Sequence, residues 1–131
     1  MAEVVIIIPA FNESSTVAEV VRGAVAAGFK AVVVVDDGST DGTAQAARQA
    51  GARVVRHMVN RGAGAAVQTG LEAALVLGAG VALTLDADGQ HDPSEIGRVL
   101  MPVLEGKADL CVGARLVDRR RMPAIVRLFN Q

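Results

Sequence analysis

The sequence is poor in aromatic residues and has almost no cysteine. It contains no Trp, no Tyr and three Phe among 131 residues, so aliphatic side chains must form any core. A single cysteine, Cys111, excludes a disulfide framework and a cysteine-rich zinc site and indicates a cytosolic protein. Thirteen basic and fourteen acidic residues argue against nucleic-acid binding through bulk positive charge. The longest uncharged apolar run, Ala73 to Leu85, is too short for a bilayer, which takes about 20 helical residues.

What is present is enough apolar material for one domain with a buried core, since 51% of the residues are hydrophobic. Short apolar runs alternate with helical patterns. Predicted strands cover Glu3–Ile8, Ala31–Val35, Ala52–Arg56, Val81–Leu85 and Asp109–Gly113. Predicted helices start after Thr16, at Thr43, near Gly64 and at Pro93. This order predicts an α/β fold, with a mostly parallel, Rossmann-like sheet flanked by helices.

Several local signals predict where these helices begin and end. Thr16 with Glu19 fits a capping box, and Pro102 is expected to end the fourth helix.

The segment 115–131 differs from the rest because it holds five arginines and one acid. Its apolar pattern predicts the start of a basic amphipathic helix, which could contact an anionic membrane surface or pack on its own domain.

Polar residues cluster at the carboxyl ends of the predicted strands, where open α/β sheets bind ligands. These loops are Pro9–Glu13, Asp36–Thr43, Asn60–Ala66 and Asp86–Pro93. Two of them hold six of the fourteen acids, and no Lys or Arg occurs from residue 62 to 97 to neutralise the second group. Such a concentration of carboxylates favours a bound cation.

Asp86-Ala87-Asp88 is the strongest candidate for a metal site. Two carboxylates two residues apart at the end of a buried strand can share one Mg²⁺ or Mn²⁺ ion, whose other ligands are water and phosphate oxygens. The plain alternative is a pair of solvated loop acids. The apolar strand before them and Gln90-His91 after them favour the metal site.

The other loop residues allow both structural and functional interpretations. Gly62 and Gly64 indicate a helix N-terminus that could face phosphate or sugar oxygens, or simply close helix packing. We expect Asp36 or Asp37 to accept hydrogen bonds from a nucleobase or ribose. Other polar residues are assigned structural roles: Asp41 as an N-cap, Ser39 in the turn, His57 and His91 in loops.

With these motifs in order, the chain resembles glycosyltransferase family 2, most closely its dolichol- and polyprenyl-phosphate sugar transferases. The resemblance rests on Pro9–Glu13, Asp36–Thr43, Asn60–Gly64, Asp86–Pro93 and Gly113-Ala114-Arg115, and covers nearly the whole chain. It implies a GT-A fold, apparently truncated, with a nucleotide-sugar-binding core over 1–114. Residues 115–131 would begin an acceptor- or membrane-facing region.

The resemblance also implies a role for each matching residue. The donor nucleotide would be bound by Pro9, Phe11, Asn12, Glu13, Asp36, Asp37, Asn60, Gly62, Gly64, Asp86 and Ala87. Asp86, Asp88 and Gln90 would hold Mg²⁺ or Mn²⁺ against the diphosphate. Asp88, Arg115 and Arg127 would take part in catalysis, the two arginines as phosphate contacts.

The function so implied is metal-dependent, inverting transfer of a sugar from a GDP- or UDP-linked donor to a polyprenyl phosphate, at the inner face of the membrane. A truncated sheet would expose an edge, which self-association into a homo-oligomer could cover. One alternative is a nucleotide-sugar-binding or interaction module without transfer activity. Another, a sugar nucleotidyltransferase, is disfavoured because Pro9–Glu13 is acidic and has no glycine.

Overall fold

A six-stranded sheet in the order β3-β2-β1-β4-β6-β5 organises the chain, seen in a computed structural model that describes residues 3–89, 95–112 and 124–127. The strands are β1 (Val4–Ala10), β2 (Ala31–Asp36), β3 (Arg53–Arg56), β4 (Val81–Thr84), β5 (Leu110–Val112) and β6 (Ala124–Arg127). The helices are α1 (Val17–Ala26), α2 (Thr43–Gln49), α3 (Ala63–Val76) and α4 (Glu95–Leu104).

The predicted parallel sheet is confirmed. Strands β3, β2, β1 and β4 pair in parallel, and β6 pairs antiparallel with both β4 and β5. Ile6 of β1 is in register with Val32 of β2 and with Leu83 of β4. The carboxyl ends of three neighbouring strands therefore meet at one edge of the sheet.

Two apolar layers hold the helices on opposite faces, because side chains alternate along each strand. Ile6 and Ile8 pack with residues of α1, α2 and α4 on one face. Val5 and Ile7 pack with α3 on the other. Gly70 lets α3 lie close to the sheet, since a Cβ there would come within 2.3 Å of Cγ2 of Ile7.

The prediction of a helix that includes Ile125 and Val126 is wrong. Ile125 and Val126 lie in β6, where their backbones pair with β4 on one side and β5 on the other. Pairing with two strands satisfies backbone groups that the edge of β4 would otherwise leave open, and β-branched residues suit a strand. Leu128 and Phe129, the rest of the apolar pattern, lie outside the described residues.

The predicted end of the fourth helix is also wrong. Pro102 does not end α4, which continues to Leu104. A proline removes one backbone donor, and the buried side chains of Leu100 and Val103 hold the last turn against the core. The predicted start of α1 is confirmed, because Thr16 is its N-cap, but Thr16 makes no side-chain cap bond and the capping box is not formed. Pro93 lies outside the described residues.

None of the helices in the described ranges has the length and apolar character that a membrane span needs.

Candidate functional site

The loops that follow β1 and β2 are bonded to each other. The amide of Asn12 donates to the hydroxyl of Ser39 at 2.8 Å, and the amide of Thr40 donates to Oδ1 of Asn12 at 2.9 Å. The amide of Glu13 donates to the Thr43 hydroxyl at 3.0 Å. Asn12 has a φ of 51°, a left-handed conformation that Asn tolerates better than most residues. These contacts fix the direction in which the β1 loop leaves the sheet.

The other residues predicted to bind the donor near the end of β1 are Pro9, Phe11 and Glu13. Phe11 is 46% exposed, and its ring offers an apolar surface at the edge of the sheet. Pro9, within β1, and Glu13 are half-buried. The ring of Phe11 is the one group among these suited to stacking with a planar ligand.

Asp36, the last residue of β2, is completely buried and has one carboxylate oxygen short of donors. Its Oδ1 accepts a hydrogen bond of 2.9 Å from the amide of Ser39. Its Oδ2 lies 3.5 Å from Nε of Arg56 and accepts no hydrogen bond from the described part of the chain. Arg56 also donates to the carbonyl oxygen of Ser39 at 2.9 Å. A buried carboxylate with an unused acceptor favours a donor from a ligand.

Asp37 is bound entirely from within the protein. Its Oδ1 accepts hydrogen bonds from Nδ1 of His57 at 2.7 Å and from the amide of Arg61 at 2.9 Å, and its Oδ2 accepts from the amide of Gly62 at 2.9 Å. Burial raises the pKa of Asp37, but these hydrogen bonds outweigh it and hold the pKa below 3.8. Asp37 is therefore an ionised anchor for the loop before α3.

That loop lies very close to the end of β2. Gly38, with a φ of 76°, allows the approach, because a Cβ there would come within 2.5 Å of the backbone nitrogen of Asn60. Gly62 is the N-cap of α3 and also has a positive φ, of 99°. Gly64 lies in the first turn. The structure thus brings Asn60, Gly62 and Gly64 to the edge that carries Asp36 and Asp37.

The predicted metal-binding segment follows β4. Asp86 and Asp88 are half-buried, and Ala87 between them is buried. The hydroxyl of Thr16 donates to the carbonyl oxygen of Ala87 at 2.6 Å and so joins this segment to the start of α1. Gln90 lies outside the described residues.

The donor set fits a hard divalent ion whose coordination is completed by other oxygens. Among residues 3–89, 95–112 and 124–127 no group of three or more His, Cys, Asp or Glu side chains could hold a metal. Mg²⁺ characteristically binds one or two protein carboxylates and takes its remaining ligands from water and phosphate. Two carboxylates at this edge suit that mode and not a closed protein cage.

Of the two predicted arginines, only the backbone of Arg127 is described. The backbone of Arg127 pairs with Val81, at the opposite end of β4 from Asp86. Arg115 lies outside the described residues, as does the rest of the basic segment up to residue 123. Their phosphate contacts stay predictions.

His57 and Thr16 are the polar residues whose positions the sequence did not reveal. His57 lies in a loop, as predicted, but it is buried there and bonded through both ring nitrogens, which the sequence did not indicate. Asp41 was expected to cap α2. Its carboxylate does accept from the amide of Thr43 at 3.0 Å and from the Thr43 hydroxyl, although Gly42 is the N-cap.

The fold is that of GT-A glycosyltransferases. A solved structure of glucosyl-3-phosphoglycerate synthase from Mycobacterium tuberculosis, in complex with Mn²⁺, uridine-diphosphate-glucose and phosphoglyceric acid, aligns with a TM-score of 0.72. The two are 27% identical, and the alignment covers 83% of this chain and 42% of that one. Residues 5–126 match the model of glycosyl transferase family 2, and the chain belongs to that family.

Curated relatives include enzymes of polyprenyl-phosphate glycosylation. The chain is 32% identical over 145 residues to UDP-N-acetylglucosamine–dolichyl-phosphate N-acetylglucosaminyltransferase of Methanococcus voltae, with 95% of the chain and 58% of that protein covered. It is 37% identical over 119 residues to polyprenol monophosphomannose synthase of Mycolicibacterium smegmatis, with 86% and 44% covered. The chain spans about half the length of the curated relatives it matches.

Proposed function

We propose that this chain binds the donor of a metal-dependent, inverting glycosyltransferase that moves a sugar from a nucleotide-diphosphate sugar to a polyprenyl phosphate. The observation that carries the proposal is the meeting of three strand ends. Asp36 ends β2, Asp86 and Asp88 follow β4, and β1 with its Phe11 loop lies between these two strands. A donor across this edge would contact all three loops.

The edge divides by chemistry into two halves. On the β2 side, the unused acceptor of Asp36 and the exposed ring of Phe11 suit a nucleobase, which has N–H donors and a flat face. On the β4 side, Asp86 and Asp88 suit a divalent ion bound to a diphosphate. The order of these groups along the edge suits a nucleotide-diphosphate sugar, whose base and diphosphate lie at opposite ends of the ribose.

A divalent ion bound there would neutralise the charge that develops on the nucleotide diphosphate as it leaves. Asp86 and Asp88 would hold that ion and orient the donor, together with Gln90. A polyprenyl phosphate is anionic near pH 7, so it needs little help from a general base. Related enzymes that bear polyprenyl- or dolichyl-phosphate names support this acceptor, as does the arginine-rich stretch after residue 115.

The test is transfer of radiolabelled sugar from UDP- and GDP-linked donors to undecaprenyl or dolichyl phosphate in detergent with Mn²⁺. Asp88→Asn removes one proposed metal ligand while keeping its shape. Glu105→Gln is the matched control, an acid-to-amide change at an exposed residue beyond α4 that pairs with Lys107. The proposal expects lipid-linked label with the wild type and with Glu105→Gln, and its loss with Asp88→Asn. Donor binding without transfer would leave a binding module and contradict the enzymatic part.

A further inference from the structure

A buried histidine joins the proposed donor edge to the helix behind it. His57 follows β3 directly and is 8% exposed. Its Nδ1 lies 2.7 Å from Oδ1 of Asp37, and its Nε2 lies 2.8 Å from the hydroxyl of Thr69, in the middle of α3. Both ring nitrogens therefore have a partner, and the ring cannot turn without losing both.

The partners fix which nitrogen carries the proton. An ionised carboxylate only accepts hydrogen bonds, so Nδ1 of His57 must donate to Asp37. In the neutral ring, Nε2 is then the acceptor, and the hydroxyl of Thr69 donates to it. The Asp37 carboxylate therefore selects the tautomer of His57, and the Thr69 hydroxyl, which can donate to Nε2, holds the ring in place.

The same carboxylate holds the loop before α3. Asp37 accepts from the amides of Arg61 and Gly62 at 2.9 Å each. The His57 bond leaves the two oxygens in the orientation that both amides need. A carboxylate has about four lone-pair sites, and three of those of Asp37 are used in this way.

We propose that His57 is a positioning residue of the donor site. Held by Thr69, it orients Asp37, which in turn fixes the loop at the start of α3 against the donor edge. The inference rests on the proposed function, because the positioned loop matters only if a donor binds beside it. The hydrogen bonds run in series from the Thr69 hydroxyl to the His57 ring, then to the Asp37 carboxylate, and from there to the amides of Arg61 and Gly62.

Paired substitutions separate positioning from simple packing. Thr69→Val keeps the shape of Thr69 and removes its hydroxyl, while Thr69→Ser keeps the hydroxyl. His57→Asn keeps a donor near the position of Nδ1 and gives up the contact with Thr69. Val103→Ala is the stability control, because it opens the core at the far end of α4 and leaves the chain of hydrogen bonds intact.

The first measurement is the affinity for UDP and GDP with Mn²⁺, by calorimetry on each variant. We expect Thr69→Val and His57→Asn to bind about three- to tenfold more weakly, which is the size of one lost hydrogen bond. Thr69→Ser and Val103→Ala should bind like the wild type. Equal weakening in Val103→Ala, or unchanged affinity in both Thr69→Val and His57→Asn, would overturn the proposal.

The second measurement needs no ligand. The chain has two histidines, so the ¹⁵N signals of the His57 ring are assigned by their loss in His57→Asn. We expect the wild type to show one fixed tautomer with the proton on Nδ1, and Thr69→Val to keep that tautomer but shift the Nε2 signal, because this nitrogen loses its donor. An averaged tautomer in the wild type would overturn the proposal. If the tautomer is fixed but the wild type binds no nucleotide, the proposed function fails, and the donor-site role of His57 fails with it.

Discussion

The hydroxyl of Thr16 donates a 2.6 Å hydrogen bond to the carbonyl oxygen of Ala87, seventy-one residues later in the chain. Thr16 is the N-cap of α1, and Ala87 lies between the two aspartates proposed to bind the metal. A second acceptor, Oε2 of Glu13, lies 3.2 Å from the same hydroxyl, but one proton serves the shorter contact. This hydrogen bond joins the segment after β4 to the end of the loop between β1 and α1.

Replacing Thr16 therefore tests how far this contact positions the metal ligands. Thr16→Val removes the hydroxyl and leaves the shape of the side chain unchanged. We expect Mn²⁺-dependent nucleotide binding to weaken about three- to tenfold, since supporting hydrogen bonds orient metal ligands. Thr16→Ser should bind like the wild type. Equal affinity in all three proteins, measured by calorimetry, would contradict the assignment.

Gly38 should be the least replaceable glycine near the site. Gly38→Ala meets two costs: the left-handed backbone, about 1–2 kcal/mol, and the clash with the backbone of Asn60, about 1–3 kcal/mol. Gly28 shares the positive φ, but a Cβ there would have no atom within 4 Å. Gly28→Ala should therefore lower the free energy of unfolding by the first amount only. Urea denaturation of both variants gives the comparison, and equal losses would contradict the close approach.

Acid should destabilise the fold through the loop carboxylates. Hydrogen bonds from Thr43 and Ser14 lower the pKa of Asp41 from 3.8 to about 2, and those from His57, Arg61 and Gly62 lower the pKa of Asp37. A carboxyl whose pKa is lower in the folded state stabilises the fold above its unfolded pKa. This contribution is lost as the pH falls through the folded pKa.

The window for Asp41 therefore runs from about pH 4 down to about pH 2. We expect the free energy of unfolding of the wild type, from urea titrations, to fall across this window. Asp41→Asn should begin lower at pH 5 and show a shallower fall. A slope in Asp41→Asn that equals the wild-type slope would contradict the assignment of this titration to Asp41.

Replacing Pro102, which lies in α4 away from the candidate site, should change the stability of the fold. Its ring removes the backbone donor that would otherwise reach the carbonyl oxygen of Arg98 within α4. Pro102→Ala should restore that hydrogen bond and raise the free energy of unfolding by about 1 kcal/mol. A loss of stability in urea denaturation would mean that packing of the half-buried ring outweighs the missing bond.

The sequence predicted the sheet well because its signals are local. Continuous apolar runs such as those of β1 and β2 are typical of strands covered on both faces, and the glycines after the helices mark their ends. Ile125 and Val126 gave a helical pattern, because their partners in β4 and β5 are distant in the chain and leave no local trace.

The candidate site was predictable in outline but not in its contacts. That Asp36, Asp37 and Asp86 meet at one edge follows from strand order. That Asp37 faces His57, and that Thr16 faces Ala87, depends on loop paths that no local pattern specifies. The available signal for the first pair was a histidine directly after one predicted strand and a pair of aspartates at the end of another.

The proposed donor site is tested most directly by measuring nucleotide binding to the wild-type chain through its effect on thermal unfolding. UDP, GDP and their sugar conjugates are each added with and without Mn²⁺. A ligand at about 100 times its Kd should add about 2.7 kcal/mol to the free energy of unfolding and raise Tm by several degrees. We expect a Mn²⁺-dependent rise in Tm with one of the two bases, absent in Asp88→Asn and kept in Glu105→Gln. No rise with either base, or the same rise in Asp88→Asn, would contradict it.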